Sequence, residues 1–376
     1  MKVGNQQIMI PTTMVGNYPN PRWFDNLASF SHFSNNPYGD TIADTAEAEA
    51  FEDAMLALAR DQERAGIDII CDGRLQAVDA YGRILYYYPE RMTNYEPYGP
   101  LIGLPIYSRL YAPTCVGPIR RKVPMMVPVA RALKMATDKP VKIQYTGVQV
   151  LAQATNDKYY NDRRKLAMDI AAAYNEDILE LDEMGVEYIQ IDEFTWPYII
   201  EDWAIDAFNR AVEGVKNAKI VCHICFGNWG GTPGYYPDET AKAGEAYPIH
   251  QRKGESPKGA WSVVPRAYDA KIDILNIEFG RDRNIGDLNV FEKHPLPKSM
   301  DFFAGVLDVK STITETAGEV AERINKVLQY IAPERLGVTT DCGLILLQRY
   351  VATEKLKALA AGTKLVRDGL AARKVA

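Results

Sequence analysis

Eight short apolar runs, separated by helical patterns or long loops, are the feature that most restricts how this chain can fold. The runs close near Asn17, Arg74, Gly147, Asp192-Glu193, Cys225, Glu278, Asp308 and Cys342. Helical patterns are predicted over 44–66, 163–185, 201–215 and 316–331, and a long helix rich in Ala, Lys and Leu closes the sequence. Eight strands alternating with helices is the arithmetic of an α/β chain folded as a (β/α)8 TIM barrel. The length of 376 residues suits one such catalytic domain over 1–376. Residues 81–128, rich in Tyr and Pro, read as cover around the barrel mouth. Residues 227–270, rich in Gly, Pro and Tyr, read as an extended loop insertion after strand five, serving as a lid or an oligomer contact.

The chemistry of such barrels sits at the C-terminal ends of the strands. Asn17, Arg74, Asp192, Glu193, His223, Cys225, Glu278, Asp308 and Cys342 all fall there. Taken singly, each carboxylate reads as a helix cap or a surface residue. Taken together, these residues mark a site.

Within it, Val221-Cys222-His223-Ile224-Cys225 reads as a buried strand whose side chains alternate faces, so His223 and Cys225 share one face. Glu278 and Cys342 close the sixth and eighth runs. An imidazole, two thiolates and a carboxylate form a soft to borderline donor set that suits Zn2+ better than magnesium or calcium. Their wide separation in sequence favours a catalytic site over a closed structural one. Zinc holding two thiolates is electron-rich, a poor activator of water but well suited to keeping a substrate thiol as a thiolate. The expected reaction is alkyl transfer to sulfur, with Glu278 loosening when the thiol arrives.

Other classes find less support. A net charge of −6 argues against general nucleic-acid binding. There is no Walker-type phosphate loop, no dinucleotide fingerprint after an early strand and no Gly-x-Ser-x-Gly elbow. Five cysteines, a start without a signal-peptide core and no apolar run long enough for a bilayer point to reduced thiols in the cytoplasm, away from membranes. Cys71 and Cys115 read as core residues, and His32, His250 and His294 as solvated loop residues.

Pro11-Thr12-Thr13 with Gly16-Asn17-Tyr18-Pro19, Lys139-Pro140-Val141-Lys142 with Thr146-Gly147, Ile189-Gln190-Ile191-Asp192-Glu193, His223-Ile224-Cys225, Ile277-Glu278 and Asp341-Cys342-Gly343-Leu344 run through nearly the whole chain. In that order they resemble the catalytic barrel of the cobalamin-independent methionine synthases. The resemblance implies that His223, Cys225, Glu278 and Cys342 are zinc ligands and that Asp192 helps hold the thiol.

Two departures bear on the substrate. Asn17 stands where that family has serine, and Gly73-Arg74 where it has Gly-Glu, whose glutamate pairs with the amino group of homocysteine. A cation in place of an anion should repel an ammonium-bearing thiol and attract one with an anionic tail. The plain structural alternative is that Arg74 merely pairs with Asp72, Asp192 or another acid. The chain also has no room for the second barrel that binds the folate donor in full-length members. Both features resemble the single-barrel epoxyalkane:coenzyme M transferase branch, which opens an epoxide with coenzyme M.

That resemblance implies a small-molecule thiol and a small alkyl donor as partners and Zn2+ as cofactor, in a homo-oligomer. Asp192 and Tyr145 are then the catalytic candidates, with Asn17, Arg74, Glu193 and Asp308 binding substrate. Tyr145 and Tyr18 are the nearest proton donors by strand position, although a core role suits either. Two further readings are a single-barrel core methionine synthase methylating homocysteine from a corrinoid protein, and a non-catalytic zinc-binding barrel.

Overall fold

The computed structural model describes residues 1–24, 42–76, 83–96, 99–103, 109–226, 259–280 and 285–375. Its centre is a seven-stranded sheet of β1 (Ile70–Cys71), β2 (Val141–Thr146), β3 (Tyr188–Asp192), β4 (Lys219–Ile224), β5 (Ile274–Glu278), β6 (Asp301–Leu307) and β7 (Leu336–Thr340). Every neighbouring pair is parallel and consecutive in sequence. Parallel neighbours need crossover connections. Among the helices, α1 (Ile42–Ala65) precedes β1, α2 (Val127–Ala136) precedes β2, and α3 (Val148–Ala154) and α4 (Arg163–Glu183) precede β3. Then α5 (Ala204–Ala211) leads to β4, α6 (Ala317–Val327) to β7, and α7 (Arg349–Val375) follows.

The sheet curls. On β7, the Thr13 amide donates to the Val338 carbonyl at 3.0 Å and the Val338 amide to the Pro11 carbonyl at 2.9 Å. On the β1 side, the Ile69 amide donates to the Thr12 carbonyl at 3.0 Å, and Thr13 Oγ1 to the Ile69 carbonyl at 3.0 Å. Both edges thus meet the same three residues. The first apolar run pairs over too short a length to form a full strand, and Pro11 has no N–H to extend the ladder.

Strand alternation sorts the core into two parts. Outward residues such as Ile143, Ile191, Cys222, Ile224, Leu275 and Ile277 pack with the helices in the large core. Inward residues at the opposite end from the site, Ile69, Tyr188, Val221, Ile274 and Phe303, cluster with Met1 and Val3. The N-terminal residues thereby give the sheet's interior an apolar floor. Nearer the strand ends the interior turns polar, with Lys142, Gln144, Gln190, Asn276 and Thr339 buried.

Local sequence fixes the helix ends. Asp162 caps α4 by accepting from the Lys165 amide, and Thr316 with Glu319 forms a capping box on α6. Gly185, at φ +73°, follows α4 in the left-handed region. The helix expected over 201–215 is shorter, Ala204–Ala211, because the chain turns ahead of Gly214 at φ +85°.

At the site end, a Cβ on Gly305 would lie 2.9 Å from Asp341 Cα and 3.0 Å from Glu278 Cα. Only glycine lets β5, β6 and the end of β7 approach this closely. Within 81–128, Tyr95–Glu96 pairs with Thr114–Cys115 and Leu101–Gly103 with Arg109–Tyr111. There, the Tyr88 hydroxyl accepts from the Thr146 amide and donates to the Gln144 carbonyl, each at 3.2 Å, which lays this segment against the end of β2. Of the 227–270 insertion, residues 227–258 lie outside the described ones; the remainder includes two short helical turns, Gly259–Ser262 and Val264–Ala267. No described helix is long and apolar enough to cross a membrane.

Candidate metal centre

The end of β4 sets the site. Val221 faces inward and Cys222 and Ile224 outward, so His223 shares the interior face. Cys225 follows one alternation later, and Cys342 arrives just beyond β7. The ligand atoms of His223, Cys225 and Cys342 lie within 4.8 Å of one another.

His223 is oriented from behind. Its Nδ1 lies 2.8 Å from Asn276 Oδ1, while Asn276 Nδ2 donates to the Phe303 carbonyl at 2.8 Å. The second bond fixes which end of the amide faces the ring, so Nδ1 carries the proton and Nε2 the lone pair. Nε2 is buried without a hydrogen-bond partner. A buried, unpartnered imidazole nitrogen beside two thiols fits a borderline-soft cation, and an outer acceptor on the other nitrogen is the usual support for a metal-ligating histidine. A hydrogen bond from Cys225, helped by the neighbouring His223 and the Lys310 ammonium, outweighs burial and holds the Cys342 thiol well below its usual pKa. That favours the thiolate a metal requires.

Glu278 stands apart from this trio. Its Oε2 accepts from Lys310 Nζ at 2.9 Å and from the Phe226 amide at 3.2 Å. Both side chains of the Glu278–Lys310 pair are fully buried, at 0% exposure. Burial alone favours the neutral amine, but Glu278, Asp341 and Cys342 together outweigh it and raise the lysine pKa. Asp308 positions this lysine by accepting from the Lys310 amide at 2.8 Å. Asp341 is buried and takes the Gly280 amide at 2.8 Å.

A second polar cluster lies at the ends of β1 to β3. Arg74, in the left-handed region at φ +50°, donates through one terminal nitrogen to Asp192 Oδ2 at 2.7 Å and to the Tyr145 carbonyl at 2.9 Å. Gln190 Nε2 donates to the other Asp192 oxygen at 2.7 Å. Arg74 is therefore paired with Asp192, the alternative raised by the sequence, and Asp192 is held from both sides. Asn17 sits where the first run meets the end of β7, its carbonyl accepting from the Leu344 amide at 2.6 Å and its Nδ2 buried without a partner.

Three residues expected in the site face elsewhere. Tyr145 points outward from β2, between inward Gln144 and Thr146, and its hydroxyl donates to Asp177 of α4 at 2.6 Å. The Tyr18 hydroxyl likewise reaches Asp61 of α1 and Thr353 of α7. Neither hydroxyl is placed to protonate a product at the trio. Glu193 is fully buried against the start of α3, where the Gln149 amide donates to it at 3.3 Å. Gly147 makes the room, since a Cβ there would fall 2.3 Å from the carboxyl carbon. Burial, offset in part by these amides, pushes the Glu193 pKa up to about 8.

Asn276 and Lys310 were missed by the sequence reading. Asn276 was visible in principle, since it lies one alternation before Glu278 and hence on the same face. Lys310 follows the seventh run in a loop, where periodicity carries no information.

The matching family model is that of the cobalamin-independent synthase catalytic domain, over residues 10–230 and 258–364. The chain is 55% identical over 381 residues to a 2-hydroxypropyl-CoM lyase of Xanthobacter autotrophicus, with all of both chains covered. It is 32% identical over 368 residues to a methionine synthase of Saccharolobus solfataricus, covering 96% of each. Among solved structures, a B12-independent methionine synthase from Shewanella sp. W3-18-1, in complex with selenomethionine, superposes with a TM-score of 0.77 at 26% identity. That superposition covers 97% of this chain and 100% of the other. On the extent of the family match and of these relatives, the chain belongs to the catalytic-domain family of the cobalamin-independent methionine synthases.

Proposed function

We propose that this protein is a zinc-dependent thiol alkyltransferase that opens a small epoxide with coenzyme M to give a 2-hydroxyalkyl thioether. The observation that carries the thiol chemistry is the His223, Cys225 and Cys342 trio with Nε2 of His223 unpartnered. The choice of coenzyme M rests on the 55% identical relative. His223, Cys225 and Cys342 would hold the Zn2+, with Glu278 as the fourth ligand. Bound there, zinc supplies a Lewis acid that keeps a substrate thiol deprotonated at neutral pH.

The chain's own residues orient the reactants. Asn276 keeps the His223 lone pair directed inward, and Arg74 with Gln190 fixes the Asp192 carboxylate from both sides at the adjacent strand ends. In the reaction the sulfur–carbon bond forms as an epoxide carbon–oxygen bond breaks. The alkoxide takes up one proton, matching the one released when the thiol binds. With Tyr145 and Tyr18 turned into the helix layer, that proton comes by another route.

The same reading takes Pro11–Thr13 as the eighth strand of a (β/α)8 barrel, supported by its bonds to both sheet edges. It takes 227–270 as a lid or subunit contact in a homo-oligomer, supported by the interruption of the family match between residues 230 and 258. Five cysteines, none of them in a disulfide, support a cytoplasmic setting.

Methylation of homocysteine is the second reading, favoured by the 32% identical methionine synthase and by the Shewanella structure. Calorimetric titration of zinc-loaded protein with coenzyme M and separately with homocysteine, following proton release, tests the pair. Tight coenzyme M binding with proton release and weak homocysteine binding support the epoxide reading. The opposite preference supports a methionine synthase, whose methyl donor would then be sought, a corrinoid protein first.

A further inference from the structure

We propose that Lys310 is the off-metal partner of Glu278, receiving its carboxylate when an incoming thiolate takes the carboxylate's place on the metal. This rests on the proposed thiol chemistry and deepens it. His223, Cys225, Cys342 and Glu278 would already fill a tetrahedral zinc, so a substrate thiolate would be a fifth donor. Of the four protein ligands the carboxylate, the hardest, would be held least well by zinc against sulfur. A carboxylate released into a buried site without a partner is strongly unfavourable, so exchange needs a cation waiting.

The structure places one. Lys310 Nζ lies 2.9 Å from Glu278 Oε2, and neither side chain is exposed. The same oxygen accepts from the Phe226 amide, so the off-metal position is a two-donor seat. In this position Glu278 lies outside the trio, whose three ligand atoms stay within 4.8 Å of one another.

The lysine is also held in place before any thiol arrives. Its amide bonds Asp308, the Asp308 amide bonds Glu315 at 2.8 Å, and Glu315 is fixed by buried Lys355 at 2.7 Å. Lys310 is thus a positioning residue, acting on the metal shell through Glu278.

The test uses full-length zinc-loaded enzyme with 2-mercaptoethanesulfonate as the probe thiol. Zinc-edge X-ray absorption, with and without thiol, counts sulfur against oxygen and nitrogen ligands, and calorimetry gives thiol affinity. In the parent, thiol should replace one oxygen ligand by sulfur. In Lys310→Met the oxygen should persist with thiol present, and thiol affinity should fall about tenfold. Lys310→Arg, which keeps the charge, should restore exchange. In a Glu278→Ala background, Lys310→Met should change thiol affinity less than about twofold.

The proposal is overturned if Lys310→Met exchanges ligands and binds thiol like the parent. It is also overturned if the loss persists undiminished in Glu278→Ala, which would mean that Lys310 touches the thiol itself. A parent protein whose zinc shell no thiol alters would instead sink the thiol chemistry, and this inference with it. That failure is distinguishable because it appears before any substitution.

Discussion

His223 and Asn276 occupy the same register on adjacent parallel strands, and the histidine Nδ1 meets the asparagine Oδ1 at 2.8 Å. A neutral amide orients the ring without adding another negative charge to a site that already holds two thiols and a carboxylate. Asn276→Leu should therefore lower zinc affinity about 10- to 100-fold, the usual effect of losing such a support. Chelator competition measures it, and unchanged affinity would mean that packing alone sets the ring.

Arg74 and Asp192 form a buried pair, with 3% and 6% of their side chains exposed. Removing the cation strands a carboxylate in the interior. Arg74→Gln should destabilise the fold by about 3–5 kcal/mol in urea denaturation. Adding Asp192→Asn should recover much of this loss. If Arg74→Gln leaves stability intact but weakens an anionic thiol, the arginine's main partner is the substrate.

Glu193 gives a pH dependence of definite sign. Its folded pKa, pushed up to about 8, lies above the ordinary 4.5, so the folded state holds this proton more tightly than the unfolded one. The associated stability is fully present below pH 4.5 and is lost as pH rises through 8. Glu193→Gln should flatten the fall in Tm between about pH 5 and pH 8. A parent-like slope in the variant would place the proton on another group, Asp72 first, whose pKa burial raises to about 6.

Tyr145 serves the helix layer. Tyr145→Phe removes the hydroxyl that Asp177 accepts and should cost about 1–2 kcal/mol of stability while leaving kcat within about twofold. A collapse of kcat at parental stability would restore the tyrosine as a proton donor.

The alternation that placed His223 and Cys225 on one interior face also governs Tyr145. Applied to β2, it puts Lys142, Gln144 and Thr146 inside and Tyr145 outside, so this orientation was legible in the sequence. Glu193 follows the same rule, because it lies one residue past the inward Asp192 and turns outward to the start of α3. The shortness of the first strand and the Lys310 contact were not legible. One depends on where two sheet edges happen to meet, the other on a loop held by Asp308, Glu315 and Lys355, which are dispersed in sequence.

The apolar floor made by Met1 and Val3 against Ile69, Tyr188, Val221, Ile274 and Phe303 seals one end of the sheet's interior. Among the described residues, the first three of the chain thus act as a stopper, holding shut the end of the interior that lies opposite His223, Cys225 and Cys342.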